Sequence, residues 1–78
     1  MRKVTGATAY LAALGQAVRR HREAKGFSQE AFAFEVELDR TYVSGIERGV
    51  RNPTVATLLR MTKALGITPA ALLKAAEK

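Results

Sequence analysis

Arg40, Thr41, Ser44, Gly45 and Arg48 recur at helical spacing between Asp39 and Gly49, and Val43 and Ile46 occupy the opposite face. An arginine on such a face can grip guanine O6 and N7 with two hydrogen bonds, and a threonine can pair with a base or touch a thymine methyl. A solvated helix face of any function also carries polar residues, so the spacing alone leaves that alternative open. No other chemistry has the residues it needs. The chain has no cysteine, His21 is its one histidine, and no carboxylate cluster surrounds it. With no glycine-rich phosphate loop and no nucleophile–base pair either, the reading is of a non-enzyme without metal, cofactor or small-molecule ligand.

The elements that position this face can be read on either side of it. Ser28 is an N-cap residue that opens a helix with Phe32, Ala33 and Val36 inside and Phe34 pointing outward. Its N3 position is Ala31, so the reciprocal half of a capping box is missing. Asp39 caps the next helix, which continues to Arg48 and ends at Gly49. Only Glu37 and Leu38 lie between the two helices, with Leu38 filling the corner. Two short helices joined by a tight turn, the second polar on its outer face, form a helix-turn-helix. In that arrangement the first helix braces across the duplex backbone and the second enters the major groove.

Three further helices complete an all-α, five-helix domain. The first runs from about Thr8, as N-cap, to Lys25, with Leu11, Leu14, Val18 and then Arg22 along one face. Arg19, Arg20, Arg22 and Lys25 oppose the negative end of its dipole. Thr54 caps the fourth, whose buried side is Val55, Leu58, Met61, Thr62 and Leu65 before Gly66 closes it. Thr68-Pro69 starts the fifth, with threonine at the N-cap and proline at N1. Ala70, Leu72, Leu73 and Ala76 make it apolar for a terminal element, and Leu72 and Leu73 are the candidate dimer contact, with sealing of the monomer core as the other role. Residues 1–7 are expected to form a flexible basic arm and residues 8–78 the domain.

Composition sets looser bounds. Seventy-eight residues suffice for one domain. Thirteen Lys and Arg against seven Asp and Glu give a net charge of +6, which favours polyanions through counterion release. Charge of this size also serves solubility, so it is the weaker clue. No apolar run approaches a membrane span and no signal peptide is evident, so a cytoplasmic location is expected.

Residues Gly15 to Leu73 resemble the lambda-repressor-like (Cro/xenobiotic-response-element) helix-turn-helix family. The resemblance is carried by Leu14-Gly15, Arg22, Lys25-Gly26-Phe27-Ser28-Gln29-Glu30, Ala33, Ile46-Glu47-Arg48-Gly49, Asn52-Pro53-Thr54 and Ala64-Leu65-Gly66. From Leu38 to Arg48 the sequence is similar, more narrowly, to controller proteins of restriction–modification systems. The resemblance implies a DNA-binding transcriptional regulator acting as a homodimer on a palindromic operator. It further implies base reading by Arg40, Thr41, Ser44 and Gly45. Gln29 would anchor a phosphate, and Tyr42, Arg48, Arg51 and Asn52 would touch backbone or flanking bases. Arg22 and Glu47 would form a partly buried structural ion pair between helices 1 and 3.

The partners so implied are double-stranded DNA and a second copy, with RNA polymerase as a further candidate. A phage-type repressor and an antitoxin with a protein partner are the alternatives. Three residues depart from the family pattern. Glu37 stands where the turn usually has glycine or a residue tolerant of positive φ. Thr62 replaces an alanine, and its hydroxyl is expected to bond back to the preceding turn. Phe34 replaces a polar residue, for which an incidental exposed ring, packing on helix 1 and a partner contact are all open.

Overall fold

The computed structural model describes residues 6–77, which form five α-helices: α1 Gly6–Ala24, α2 Gln29–Val36, α3 Arg40–Glu47, α4 Val55–Leu65 and α5 Pro69–Ala76. Four of the starts are set by side-chain caps. Ser28, Asp39, Thr54 and Thr68 each accept a hydrogen bond from a backbone N–H of the first turn that follows, satisfying a donor the helix cannot. At α1 the sequence reading fails. Thr8 lies inside the first turn, because Ala7 upstream is a strong helix former and the cap preference yields to extension. The expected arm thus loses Gly6 and Ala7 to α1, and residues 1–5 lie outside the described residues.

The core draws one or more side chains from every helix: Leu14, Ala17 and Val18; Phe32, Ala33 and Val36; Val43 and Ile46; Met61 and Leu65; Leu72 and Ala76. α1 is the central strut, packed against α3 and α5, while α2 lies on α3 and α4. Close approach of α1 and α3 depends on Gly15. A Cβ there would collide with the backbone carbonyls of Ile46 and Glu47, which cannot be moved aside without displacing α3.

Two apolar assignments need correction. Val55 was expected inside and is 71% exposed. It stands roughly a quarter turn from the centre of the buried stripe, and Thr57, hydrogen-bonded to the Thr54 hydroxyl, fills the inward place. Leu72 is fully buried within its own chain, so its side chain seals the core and has no surface left for a dimer contact. Leu73 is half-buried, and its carbonyl accepts a 2.8 Å hydrogen bond from the Tyr10 hydroxyl, tying α5 to α1. Phe34 points outward as expected, 86% exposed. The Thr62 hydroxyl donates to the Leu59 carbonyl in the preceding turn.

Candidate nucleic-acid interface

The turn that aims α3 is Glu37-Leu38. Glu37 adopts a left-handed conformation, φ 59° and ψ 45°, and its N–H closes α2 on the carbonyls of Ala33 and Phe34. It is the sole non-glycine residue with positive φ among the described residues. The geometry that the resemblance implied is therefore kept by an L-residue under strain. Leu38 donates its N–H to the Ala33 carbonyl and packs against the core, which fixes the angle at which α3 leaves.

α3 then starts on Asp39. Its carboxylate accepts from the Thr41 N–H at 2.9 Å and from the Thr41 hydroxyl at 2.8 Å. These two bonds, backbone first, hold the Asp39 carboxyl below the usual carboxylate range, with a smaller contribution from the Arg40 charge. Because the Thr41 hydroxyl proton is directed at Asp39, the side chain offers its methyl group and an oxygen lone pair to anything lying against the helix. Arg40 and Thr41 are exposed and Ser44 is half-buried, one turn along. Arg48 donates from Nε to the Ser44 hydroxyl at 3.3 Å, so these two expected contacts form one polar edge. Tyr42 is half-buried with its ring against the core. Arg51 and Asn52 are exposed on the loop after α3.

Gly45 does not belong to that exposed edge. It is buried, and a Cβ built on it would stand 2.5 Å from the Cγ of Arg51. Its carbonyl accepts the N–H groups of Val50 and Arg51, which folds the loop back so that the Arg51 side chain covers the glycine. Gly45, which the resemblance placed among the base-reading residues, thus lies beneath the Arg51 side chain. Helical spacing placed it on the outer face correctly. The loop residue lying over it gives no periodic signal.

Behind the reading edge lies the ion pair expected between α1 and α3. Arg22 donates to Glu47 through Nε at 2.6 Å and through its second terminal nitrogen at 3.1 Å, and its first reaches the Phe27 carbonyl at 2.7 Å. The hydrogen bond to Glu47 raises the Arg22 pKa despite burial. Gln29, expected to face a phosphate, instead donates from Nε2 to Glu47 Oε1 at 3.0 Å, while its Oε1 accepts from Arg40 at 3.4 Å. This inner attachment leaves no local mark in the sequence, since Gln29 and Glu47 are eighteen positions apart. Arg40, Arg48 and Arg51 form no ion pair with a carboxylate among the described residues, which leaves three cations at the edge. No helix among the described residues is long and apolar enough to cross a membrane.

The helix-turn-helix family profile matches residues 18–72. The chain is 50% identical over 60 residues to control protein C.BamHI of Bacillus amyloliquefaciens, spanning 76% of this chain and 74% of that protein. Its fold is similar to the crystal structure of the restriction–modification controller protein C.AhdI from Aeromonas hydrophila. There the TM-score is 0.77 at 48% identity, over 80% of this chain and 94% of that one. SinR, a master regulator of biofilm formation crystallised in complex with DNA, superposes with a TM-score of 0.74 at 30% identity, over 77% of this chain and 97% of SinR.

Proposed function

The chain belongs to the helix-turn-helix family, and on that premise we propose that it is a transcription regulator of the controller type, binding duplex DNA as a homodimer. α3 lies in the major groove, with Arg40 and Thr41 against base edges and Ser44 further along. Arg48, Arg51 and Asn52 meet the sugar–phosphate backbone, where positive charge releases counterions and fixes register without reading sequence. The observation that carries this reading is the exposed edge of Arg40 and Thr41, presented on a capped helix whose opposite face is locked into the core.

A dimer places two copies of α3 about 34 Å apart, one turn of duplex, and requires a two-fold-related operator. With Leu72 committed to the core, the exposed apolar pair Val55 and Leu59, one turn apart on α4, supports self-association better. Contact with RNA polymerase follows from the regulator role and has no residue of its own in the structure.

Selection of bound sequences from random duplex DNA tests the proposal. A palindromic consensus is expected, and Arg40→Ala should relax one base pair in each half, with a loss of about 1–3 kcal/mol. A variant that still prefers the same site with unchanged affinity would show that another element reads the bases. Sedimentation velocity of Leu59→Glu checks the interface: the wild type should sediment as a dimer and the variant as a monomer.

A further inference from the structure

We infer that Asp39 is a positioning residue that makes Thr41 a hydrogen-bond acceptor only, selective for the exocyclic amino group of adenine or cytosine. The inference rests on the reading of α3 as the groove helix and adds which edge of a base that helix accepts at Thr41.

A threonine hydroxyl carries one proton and two lone pairs, so a free one serves a donor or an acceptor equally. Thr41 has lost that choice. Its hydroxyl stands 2.8 Å from Oδ1 of Asp39, and an ionised carboxylate can only accept, so the proton lies between the two oxygens. The same Oδ1 accepts the Thr41 N–H at 2.9 Å. Asp39 is the N-cap of α3, so the bond that starts the helix also holds the hydroxyl in one orientation. One turn along, the Ser44 hydroxyl accepts from Arg48 Nε at 3.3 Å, and an arginine can only donate. That bond leaves the Ser44 proton uncommitted. The two hydroxyls of the reading edge therefore differ in polarity.

The major-groove edge of every base pair carries one exocyclic amino group, on adenine or cytosine, and one exocyclic oxygen, on thymine or guanine. An acceptor facing the amino group gains a hydrogen bond. Facing the oxygen, it sets lone pair against lone pair and leaves two desolvated groups without a partner. Thr41 thus reads which strand holds the amino base, rather than whether the pair is A·T or G·C. Arg40, beside it, offers donors alone, which suit guanine O6 and N7. Neighbouring side chains at the start of α3 present opposite polarity to the groove.

Selection from random duplex DNA with the wild type and with Thr41→Val, which lacks the hydroxyl, identifies the base pair that Thr41 reads. Folding of each variant is followed by circular dichroism. The wild type should select adenine or cytosine over guanine and thymine on one strand there, by about three- to tenfold, the measure of one neutral hydrogen bond. Asp39→Gly keeps a workable N-cap without the acceptor and should relax preference at that base pair alone, because the freed hydroxyl can donate to guanine or thymine. Asp39→Asn loses the same charge but keeps an acceptor oxygen, and should restore the preference. Asp39→Ser serves if the glycine variant does not fold. A titration of the wild type on the selected duplex, with its amino base replaced by purine or pyrimidinone, needs no variant. Affinity should fall by the same factor, and Thr41→Val should bind both duplexes alike. Guanine or thymine selected at the Thr41 base pair, or unchanged affinity for the duplex lacking the amino group, overturns the inference. So does relaxation by Asp39→Gly at a different base pair, which would mean that Asp39 itself meets a base. A wild-type chain without any sequence preference overturns the groove-helix reading as well, so the two failures are distinct.

Discussion

Arg22 and Glu47, separated by twenty-five positions, meet through two parallel hydrogen bonds of 2.6 and 3.1 Å in a site where the Glu47 side chain is 3% exposed. The pair joins α1 to the C-terminal end of α3 and so fixes the helix whose outer edge carries Arg40 and Thr41. Removing one member leaves the other charge buried without its partner, which typically costs about 3–5 kcal/mol. Arg22→Ala should therefore show a loss of that size in urea denaturation and also free the Phe27 carbonyl it now satisfies. Arg22→Met combined with Glu47→Leu should cost less than Arg22→Ala alone, because no buried charge is then left. Equal or additive losses would mean that solvent reaches the site.

Acid should loosen the start of α3. The two bonds from Thr41 hold the Asp39 carboxyl below its ordinary value, so the folded state binds its proton less readily than the unfolded chain does. The stability this contributes is present above the ordinary carboxylate range and is lost as pH falls through the folded value. Asp39→Asn keeps a capping side chain that does not titrate. Thermal melts between about pH 6 and pH 2 should show a steeper acid decline for the wild type than for the variant, in the range where a carboxylate titrates. Parallel curves would assign acid sensitivity to other carboxylates.

Glu37 holds φ at 59° without the freedom of glycine, and its side chain recovers little, being exposed and 4.0 Å from Arg60. Glu37→Gly relieves the left-handed strain and should raise stability by about 1 kcal/mol, equivalent to roughly 4–8 °C in Tm for a domain of this size. The direction of α3 should not change, so DNA preference should stay the same. A fall in Tm would show that the entropy glycine adds to the unfolded chain outweighs the strain.

How far the sequence carried this reading depends on the range of the interaction. Caps at Ser28, Asp39, Thr54 and Thr68 act within three residues, so residue types alone place four helix starts. The left-handed turn at Glu37 was legible through the family resemblance, since that position usually has glycine or a residue tolerant of positive φ. The Arg22–Glu47 pair came through family resemblance and the placement of Arg22 on an apolar stripe. The failures lie where two distant elements share one surface. Whether Leu72 faces a second copy or its own core depends on how α5 lies on α1. The inner bond of Gln29 depends on α2 and α3 meeting over Glu47. Gly45 was placed on the correct face, but the loop that covers it could not be foreseen from periodicity.

Gly45 separates these contributions experimentally. An alanine in the middle of α3 gains about 1 kcal/mol of helix propensity, yet its Cβ would meet the Cγ of Arg51 at 2.5 Å. Cγ is close to the backbone end of the arginine, so the whole Arg51 side chain must turn about its first bond, which offsets the gain in propensity. Gly45→Ala should therefore fold with a Tm close to that of the wild type while displacing one cation from the backbone-contacting edge. Each phosphate contact contributes about 0.9 to the slope of log K against log salt, so the variant's slope should be shallower by about that amount. Base preference should be intact. If instead the slope is unchanged and preference relaxes at a base pair, Gly45 faces the bases directly. A melting point lower by several degrees would show that Arg51 cannot leave its seat without loosening the loop.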